Sequence, residues 1–572
     1  MARPIELGRE GVLAAASPAA GRRDVAALLE RHAVVVLVLL AVVGFGMRAS
    51  GLGRVGFAED EIKKLEAVRA YARGDITPNA EHPMVMKSLV FLSVRAARAW
   101  NDLAPPAYQI TAEASVRLPN VLFGALTVFP LFFLTAALFE RRTALLAAAF
   151  WATGVSAVTF NRIAKEDTLL VFFMLPAFYF YLRAKQTSGF EAAKKKRYYL
   201  WSAVAFGLMF ASKYFPHYFG LNMLYHHLVK VREREPGEPK GRTPRIFYLV
   251  LPVAFLLANP AVLLPATWEY LSAYSGEQLL THHGYLLGDT LYDNVMSKTP
   301  FGGTPVYFYL LFLAVKTPLP LLVALALGLV EIVRRRREPG PAFLLLMFVL
   351  WVVPYSLVGA KWLRYALSLM PFVYMIAAVG VVALVRWAAR VGNDGREQSR
   401  GGVSSSDSFV PARAVIAGAA ALVVFVVWPA WSAWAARPHY ALYTNAPSRG
   451  AAGHYFPHDE FYDDGLREAF EFVCRTAPEG AAVAHETPGV ARYYLHKFGR
   501  TDLRSEVLSD PRFDVREEGR PAFFILQRGR TYFENQDKMR ELRTSPRFVK
   551  AHEVFVRGAS AAEVYATSPP AR

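Results

Sequence analysis

Apolar residues in this chain gather into long runs, such as AVVVLVLLAVVGFGM at 33–47 and FLLLMFVLWVVPYSLV at 343–358, separated by short polar loops. Many approach the ~20 residues that carry a helix across hydrocarbon. They do not alternate as barrel strands do, so the spans are expected to be helical. The pattern predicts about eleven of them, near 33–50, 115–139, 143–162, 168–184, 198–215, 217–229, 246–264, 305–333, 342–359, 365–386 and 413–435. The basic loops ERR (140–142), KKKR (194–197), KVREREPGEPKGR (230–242), RRRR (334–337) and the stretch from Arg386 to Arg413 then all fall on one side. By the positive-inside rule that side is the cytoplasm. Counting MVMKSLVFLSVRAARAW (84–100) as a further span would invert every later loop, so it is read as an interfacial or re-entrant helix.

This parity places Asp60, the loop after Arg162, the segment 265–304 and the C-terminal tail on the outer face. The expected organisation is a cytoplasmic N-terminal tail (1–32), a membrane region (33–435) with outer loops at 51–114 and 265–304, and an extracytoplasmic α/β domain (436–572). The first apolar run lacks a small-residue cleavage signal and is read as a retained span. Residues 392–408, rich in Gly and Ser, read as a cytoplasmic linker. In the tail, 465–476 and 488–498 have helical patterns, whereas 481–485 and 522–527 read as strands, so the tail is expected to fold separately. The fold class is thus mainly α, a polytopic membrane helical bundle with a small α/β domain outside.

Composition narrows the function. The chain has 572 residues, 54% of them hydrophobic, with a formal net charge of +18. Its basic excess sits in short loops as a topology signal, which argues against nucleic acid as a partner. The lone Cys474 permits no intrachain disulfide and reads as a small core residue.

Outer loops should be poor in positive charge, so the cations remaining there are the candidates for chemistry. Arg162 and Lys165 flank Asp167 in FNRIAKEDTLL, Lys213 lies in ASKYFPHYF, Lys361 and Arg364 in GAKWLRYALSLMP, and Lys316 inside the apolar run VKTPLPLL. Snorkelling toward headgroups is the bland reading of each. Cations at the outer rim suit a lipid phosphate, and a nearby carboxylate suits removal of a proton from a hydroxyl. Together they describe group transfer from a lipid phosphate.

The order of motifs resembles the bacterial GT-C glycosyltransferases of the protein O-mannosyltransferase and aminoarabinose transferase type. The matching pieces are the Asp60-Glu61 pair after the first span, His82-Pro83 at the end of that loop, Arg162-x4-Asp167, HHGYLLGDTLY (282–292), VKTPLP (315–320) and Arg364-Tyr365-x4-Met370-Pro371. The resemblance covers roughly 30–390 and implies a bundle of GT-C type moving a sugar from a polyprenyl-phosphate donor to a protein hydroxyl, lipid A or glycan. It makes Asp60 the catalytic carboxylate, with Glu61 its neighbour and Asp167 the second acidic position. Stabilisation of a helix N-terminus is the alternative for all three. Arg162, Lys213, Lys316, Lys361 and Arg364 are the candidate phosphate ligands; His82, Tyr285 and Tyr365 are candidate substrate contacts. HPMVM departs from the family pattern after its first proline. No cofactor is demanded; Glu81, His282 and His283 are the candidate ligands for a divalent zinc, manganese or magnesium ion. In the tail, His454, His458, Asp459 and Glu460 read as loop hydrogen-bonding groups or acceptor contacts. A bacterial inner membrane suits the Ala- and Arg-rich usage. The chief rival reading is a transporter or flippase of a lipid-linked saccharide, in which Lys316 guides a headgroup.

Overall fold

The computed structural model describes residues 32–239, 242–275, 283–298, 301–397, 412–516 and 522–567. Helices occupy every apolar run. In order they are α1 (Ala33–Ala49), α2 (Glu59–Tyr71), α3 (Met84–Asn101), α4 (Ala112–Leu126), α5 (Val128–Leu138), α6 (Arg141–Thr153), α7 (Val155–Phe160), α8 (Asp167–Gln186), α9 (Ala192–Ser212), α10 (His217–Leu228), α11 (Arg245–Ala258) and α12 (Pro265–Ser275). After a hairpin of β1 (Tyr285–Leu287) and β2 (Thr290–Tyr292) come α13 (Phe308–Lys316), α14 (Leu319–Arg334), α15 (Pro339–Leu357), α16 (Met370–Glu397), α17 (Ala412–Leu422) and α18 (Trp428–Ala435).

Among the described residues, helices at 106–138, 167–186, 339–357, 370–388 and 418–435 are long and apolar enough to cross a bilayer, and α1 and α11 are shorter apolar helices. The chain is a membrane protein. The single span expected at 305–333 is corrected to two helices, because Pro318 lacks an N–H and holds Thr317 in an extended conformation. The span at 143–162 likewise breaks at Gly154, where a Cβ would collide with the Tyr374 hydroxyl and the Phe150 carbonyl. α14 and α16 pack so closely that a Cβ on Gly328 would strike the Ile376 carbonyl, the small-residue contact typical of membrane helices.

The tail holds α19 (Pro457–Phe461), α20 (Leu466–Thr476), β3 (Ala482–His485), α21 (Pro488–Lys497), β4 (Arg504–Val507), β5 (Ala522–Gln527), α22 (Gln536–Thr544), β6 (Phe548–Val556) and β7 (Ala559–Thr567). Its sheet runs β4-β3-β5-β7-β6, with β3 parallel to β4 and β5, and β7 antiparallel to β5 and β6. The tail does not stand apart from the loop beneath it. Phe57, Ile62, Val68 and Val90 of the first outer loop share one apolar core with Leu466, Phe470, Val490 and Tyr494. Burial of that size fixes the tail over α2, and so over Asp60.

Candidate active site

The chain enters α2 through Phe57-Ala58, with Ala58 extended and Glu59, Asp60 and Glu61 in the first turn. Three carboxylates there suit the positive end of the helix, yet helical geometry sends them in different directions. Glu61 points inward. It accepts the Ala58 N–H at 3.1 Å, the Ala164 N–H at 3.1 Å, and Nε and Nη2 of Arg117 at 2.8 and 2.5 Å. Glu59 turns toward the tail and pairs with Arg530 at 3.1 Å and Lys63 at 3.2 Å.

Asp60 faces a cluster that keeps some access to solvent. Its side chain is 27% exposed, with Lys165 Nζ at 2.9 Å from Oδ1 and Arg364 Nη1 at 3.7 Å from Oδ2. The Tyr462 hydroxyl donates to Oδ2 at 2.7 Å. Burial works against the charge on Asp60, but Lys165, Arg364 and Lys63 overcome it and hold the carboxyl well below its usual range.

Lys165 belongs to a Lys165-Glu166-Asp167 triplet at the start of α8. Glu166 meets Lys64 at 2.5 Å, and His82 Nδ1 lies 3.9 Å away. Burial, with Lys64 and Lys165 beside it, outweighs the opposing Glu166 and holds His82 well below its ordinary value. The loop carrying it is fixed by Lys87, whose Nζ donates to the Asn79 carbonyl at 2.6 Å and the His82 carbonyl at 2.8 Å. Asp167 pairs with Lys213 at 2.6 Å. Lys213 in turn lies over Phe215 and Tyr365, 4.3 and 4.7 Å from the ring centres, and Arg364 lies 5.6 Å from the Tyr365 ring. Asp60, Arg364, Tyr365, Lys213 and Asp167 therefore form a continuous path in which two cations flank one aromatic ring and each cation meets a carboxylate.

Several of the expected site residues are engaged by other parts of the chain. Arg162 donates to the carbonyls of Arg48 and Ser50, at 2.5 and 2.8 Å, and closes the C-terminal end of α1. Lys316 pairs with Glu460 and donates to the Ala441 and Tyr443 carbonyls at 2.9 and 2.8 Å. Lys361 is fully buried and donates to the Thr304 and Val358 carbonyls at 2.6 and 2.5 Å. Arg162, Lys316 and Lys361 thus direct donors to acceptors of the chain itself. Glu61 is held by Arg117 and by two backbone N–H groups. Tyr285 is buried and donates to Asp459 Oδ2 at 2.5 Å.

Glu81 accepts from Asn79 at 2.5 Å, whereas His283 pairs with Glu534 of the tail at 3.0 Å. Among the described residues no group of three His, Cys, Asp or Glu side chains forms a metal set, and His282 lies outside them. The tail residues His454, His458 and Glu460 meet Asp289, the Gly529 carbonyl and Lys316 respectively.

Glu166, Lys64 and Tyr462 were not legible as site residues. The first had a signal: three charges in a row between two apolar runs of the outer side. Lys64 reads as an ordinary helix-surface lysine, and Tyr462 lies far along the chain in the tail.

Residues 109–264 match the family described as dolichyl-phosphate-mannose-protein mannosyltransferase. A comparison with curated proteins finds no match. Among solved structures the chain is similar to ArnT from Cupriavidus metallidurans in the apo state, at 15% identity and a TM-score of 0.48, covering 94% of this chain and 98% of that one. The same protein bound to undecaprenyl phosphate matches at 13% identity and a TM-score of 0.48, with the same coverage. The archaeal oligosaccharyltransferase AglB from Archaeoglobus fulgidus, in complex with an inhibitory peptide and a dolichol-phosphate, matches at 12% identity and a TM-score of 0.45, covering 81% of this chain and 64% of that one. Over residues 109–264 the family match supports the resemblance to GT-C glycosyltransferases that the order of motifs implies.

Proposed function

We propose that the protein is a membrane glycosyltransferase that moves a sugar from a polyprenyl-phosphate carrier to an acceptor hydroxyl, with Asp60 as the base. The observation that carries this reading is the cluster in which Asp60 meets Lys165 and Arg364, with the Lys213–Asp167 pair alongside. The family match supports a lipid-phosphate donor.

The donor phosphodiester would be held by Arg364, with Lys165 and Lys213 around it. The acceptor oxygen attacks the anomeric carbon while the bond from that carbon to the phosphate oxygen breaks. The hydroxyl proton passes to Asp60, and the carrier leaves as polyprenyl phosphate with both bonding electrons. The cations stabilise that growing charge.

A carboxylate held far below its usual range is ionised at neutral pH but is a weak base. Donor binding offsets this. As Arg364 and Lys165 turn toward phosphate, Asp60 loses part of their field and its proton affinity rises. Binding of donor before acceptor follows from that exchange. The acceptor class, whether protein, lipid A or another glycan, and the outer-face orientation belong to this proposal as well.

The transporter reading rested on Lys316, and the Glu460 carboxylate and two carbonyls already occupy that side chain. The test is incubation of purified protein with polyprenyl-phosphate hexoses and pentoses in the presence of membrane extract as acceptor, read as release of polyprenyl phosphate. Release by the wild type and its loss in Asp60→Asn, with donor binding retained, supports the reading. Normal release by the variant, or transport without release by the wild type, overturns it.

A further inference from the structure

The turn from Tyr462 to Gly465 joins α19 to α20, and its backbone is unusual. Tyr462 and Asp463 both have positive φ, 44° and 68°, followed by Gly465 at 88°. Two successive side-chain-bearing residues in the left-handed region cost about 1–3 kcal/mol each and persist only where their surroundings impose them.

Those surroundings are on the page. Asp463 accepts the Glu59 N–H at 2.9 Å, Nε and Nη2 of Arg530 at 2.9 and 2.7 Å, and the Gln527 amide at 2.5 Å. Asp464 pairs with His439, and Glu460 with Lys316. Gln527 ends β5 and Arg530 follows it, so both lie at the carboxyl edge of the parallel part of the sheet. In open α/β sheets ligands bind outside the carboxyl ends of the strands where the strand order reverses, as it does here between β3 and β5. Here that edge grips the chain's own turn. Arg530 also reaches Glu59, the residue before Asp60, so one guanidinium ties the turn to the first turn of α2.

The residue this assembly delivers is Tyr462, whose hydroxyl donates to Asp60. A carboxylate offers about four acceptor positions. Lys165 takes one on Oδ1, while Tyr462 and Arg364 approach Oδ2. Three neighbours leave about one of those positions for an incoming hydroxyl, on a side chain that is 27% exposed. We propose that Tyr462, brought in by the tail, is the positioning residue that fixes the Asp60 carboxylate so that its open acceptor position meets the incoming hydroxyl. The tail is therefore part of the catalytic unit, and the inference rests on Asp60 being the base.

Tyr462→Phe removes one oxygen and keeps the ring. In the full-length protein it is expected to lower kcat by roughly tenfold to hundredfold with the donor KM unchanged. A hydrogen bond donated to the carboxylate favours its charged form, so the acidic limb of kcat/KM is also expected to move to higher pH. Asp463→Asn, which loosens the turn and keeps the tyrosine, should lower kcat in the same direction. A structural role alone would lower thermal stability and leave the acidic limb where it is. A folded Tyr462→Phe protein with wild-type kcat and pH profile overturns the inference while Asp60→Asn remains inactive. If Asp60→Asn is active, or the wild type releases no polyprenyl phosphate, the parent reading fails first and takes this one with it.

Discussion

Asp60 and Glu61 are neighbours in one helical turn, and their surroundings differ in kind. Glu61 is sealed beneath the loop, bound at both oxygens by Arg117 and by two backbone N–H groups. Asp60 is held by side chains alone and keeps an exposed edge. The cations divide in part the same way: Arg162 and Lys361 end on backbone carbonyls and Lys316 on two carbonyls and the buried Glu460, whereas Lys165 and Arg364 meet Asp60 and Lys213 meets Asp167. A cation on carbonyls has no reason to leave, since departure strands both itself and the acceptor. One on a carboxylate near solvent can exchange that partner for a phosphate at little net cost. On the proposed reading, exchangeable partners rather than charge separate the two groups.

The largest expected effect separates the two acids. Asp60→Asn should reduce transfer by about 10²–10⁴-fold, the range of a lost general base, while the thermal midpoint stays near wild type. Glu61→Gln should act on stability, because Arg117 then sits buried beside a neutral partner, a loss of about 3 kcal/mol or more. Unfolding curves and turnover measured on the same preparations check both. The comparison breaks if the Glu61 variant is stable and inactive.

The cations give the next effect. Arg364→Met should raise the donor KM by roughly tenfold to hundredfold, the worth of a charge-assisted contact, with the fold intact. Lys361→Met should leave the donor KM unchanged and lower stability by about 1–3 kcal/mol for the stranded carbonyls. Equal donor affinities in the two variants would erase the distinction between the groups.

The bundle was legible in the sequence because a bilayer demands long apolar runs, and each run became helix. The tail was half legible. AFFILQ is a buried strand, but β6 has mostly outward-facing residues, and with no apolar run it leaves the hairpin with β7 unmarked. Of the proposed site, Asp60, Asp167 and Arg364 were named by motif order and Lys213 by being a cation on the outer side. The site was illegible at Glu61 against Asp60, where direction around a helix decides the role, and at Tyr462, which reaches Asp60 across 402 positions of chain. Nothing local in FYDDG states that its tyrosine will be aimed at a carboxylate by an arginine at position 530.

A third carboxylate sharpens the contrast. Glu486, at the end of β3, is buried like Glu61, yet it accepts from two neutral donors, Ser509 at 2.8 Å and Asn535 at 2.7 Å. Burial without a paired cation pushes its carboxyl up to about 7 from an ordinary 4.5. Between those values the folded tail binds a proton that the unfolded chain has released, so stability falls as pH rises through the window. Glu486→Gln has no proton to lose, and its stability should stay level from pH 5 to pH 7 while the wild type loses about 1–2 kcal/mol. Hydrogen exchange of β3 and β5 amides in the full-length protein, at pH 5, 6 and 7, reads that slope directly. Parallel slopes for the two proteins would mean that Glu486 is ionised when folded, and that a buried carboxylate here needs no cation to keep its charge.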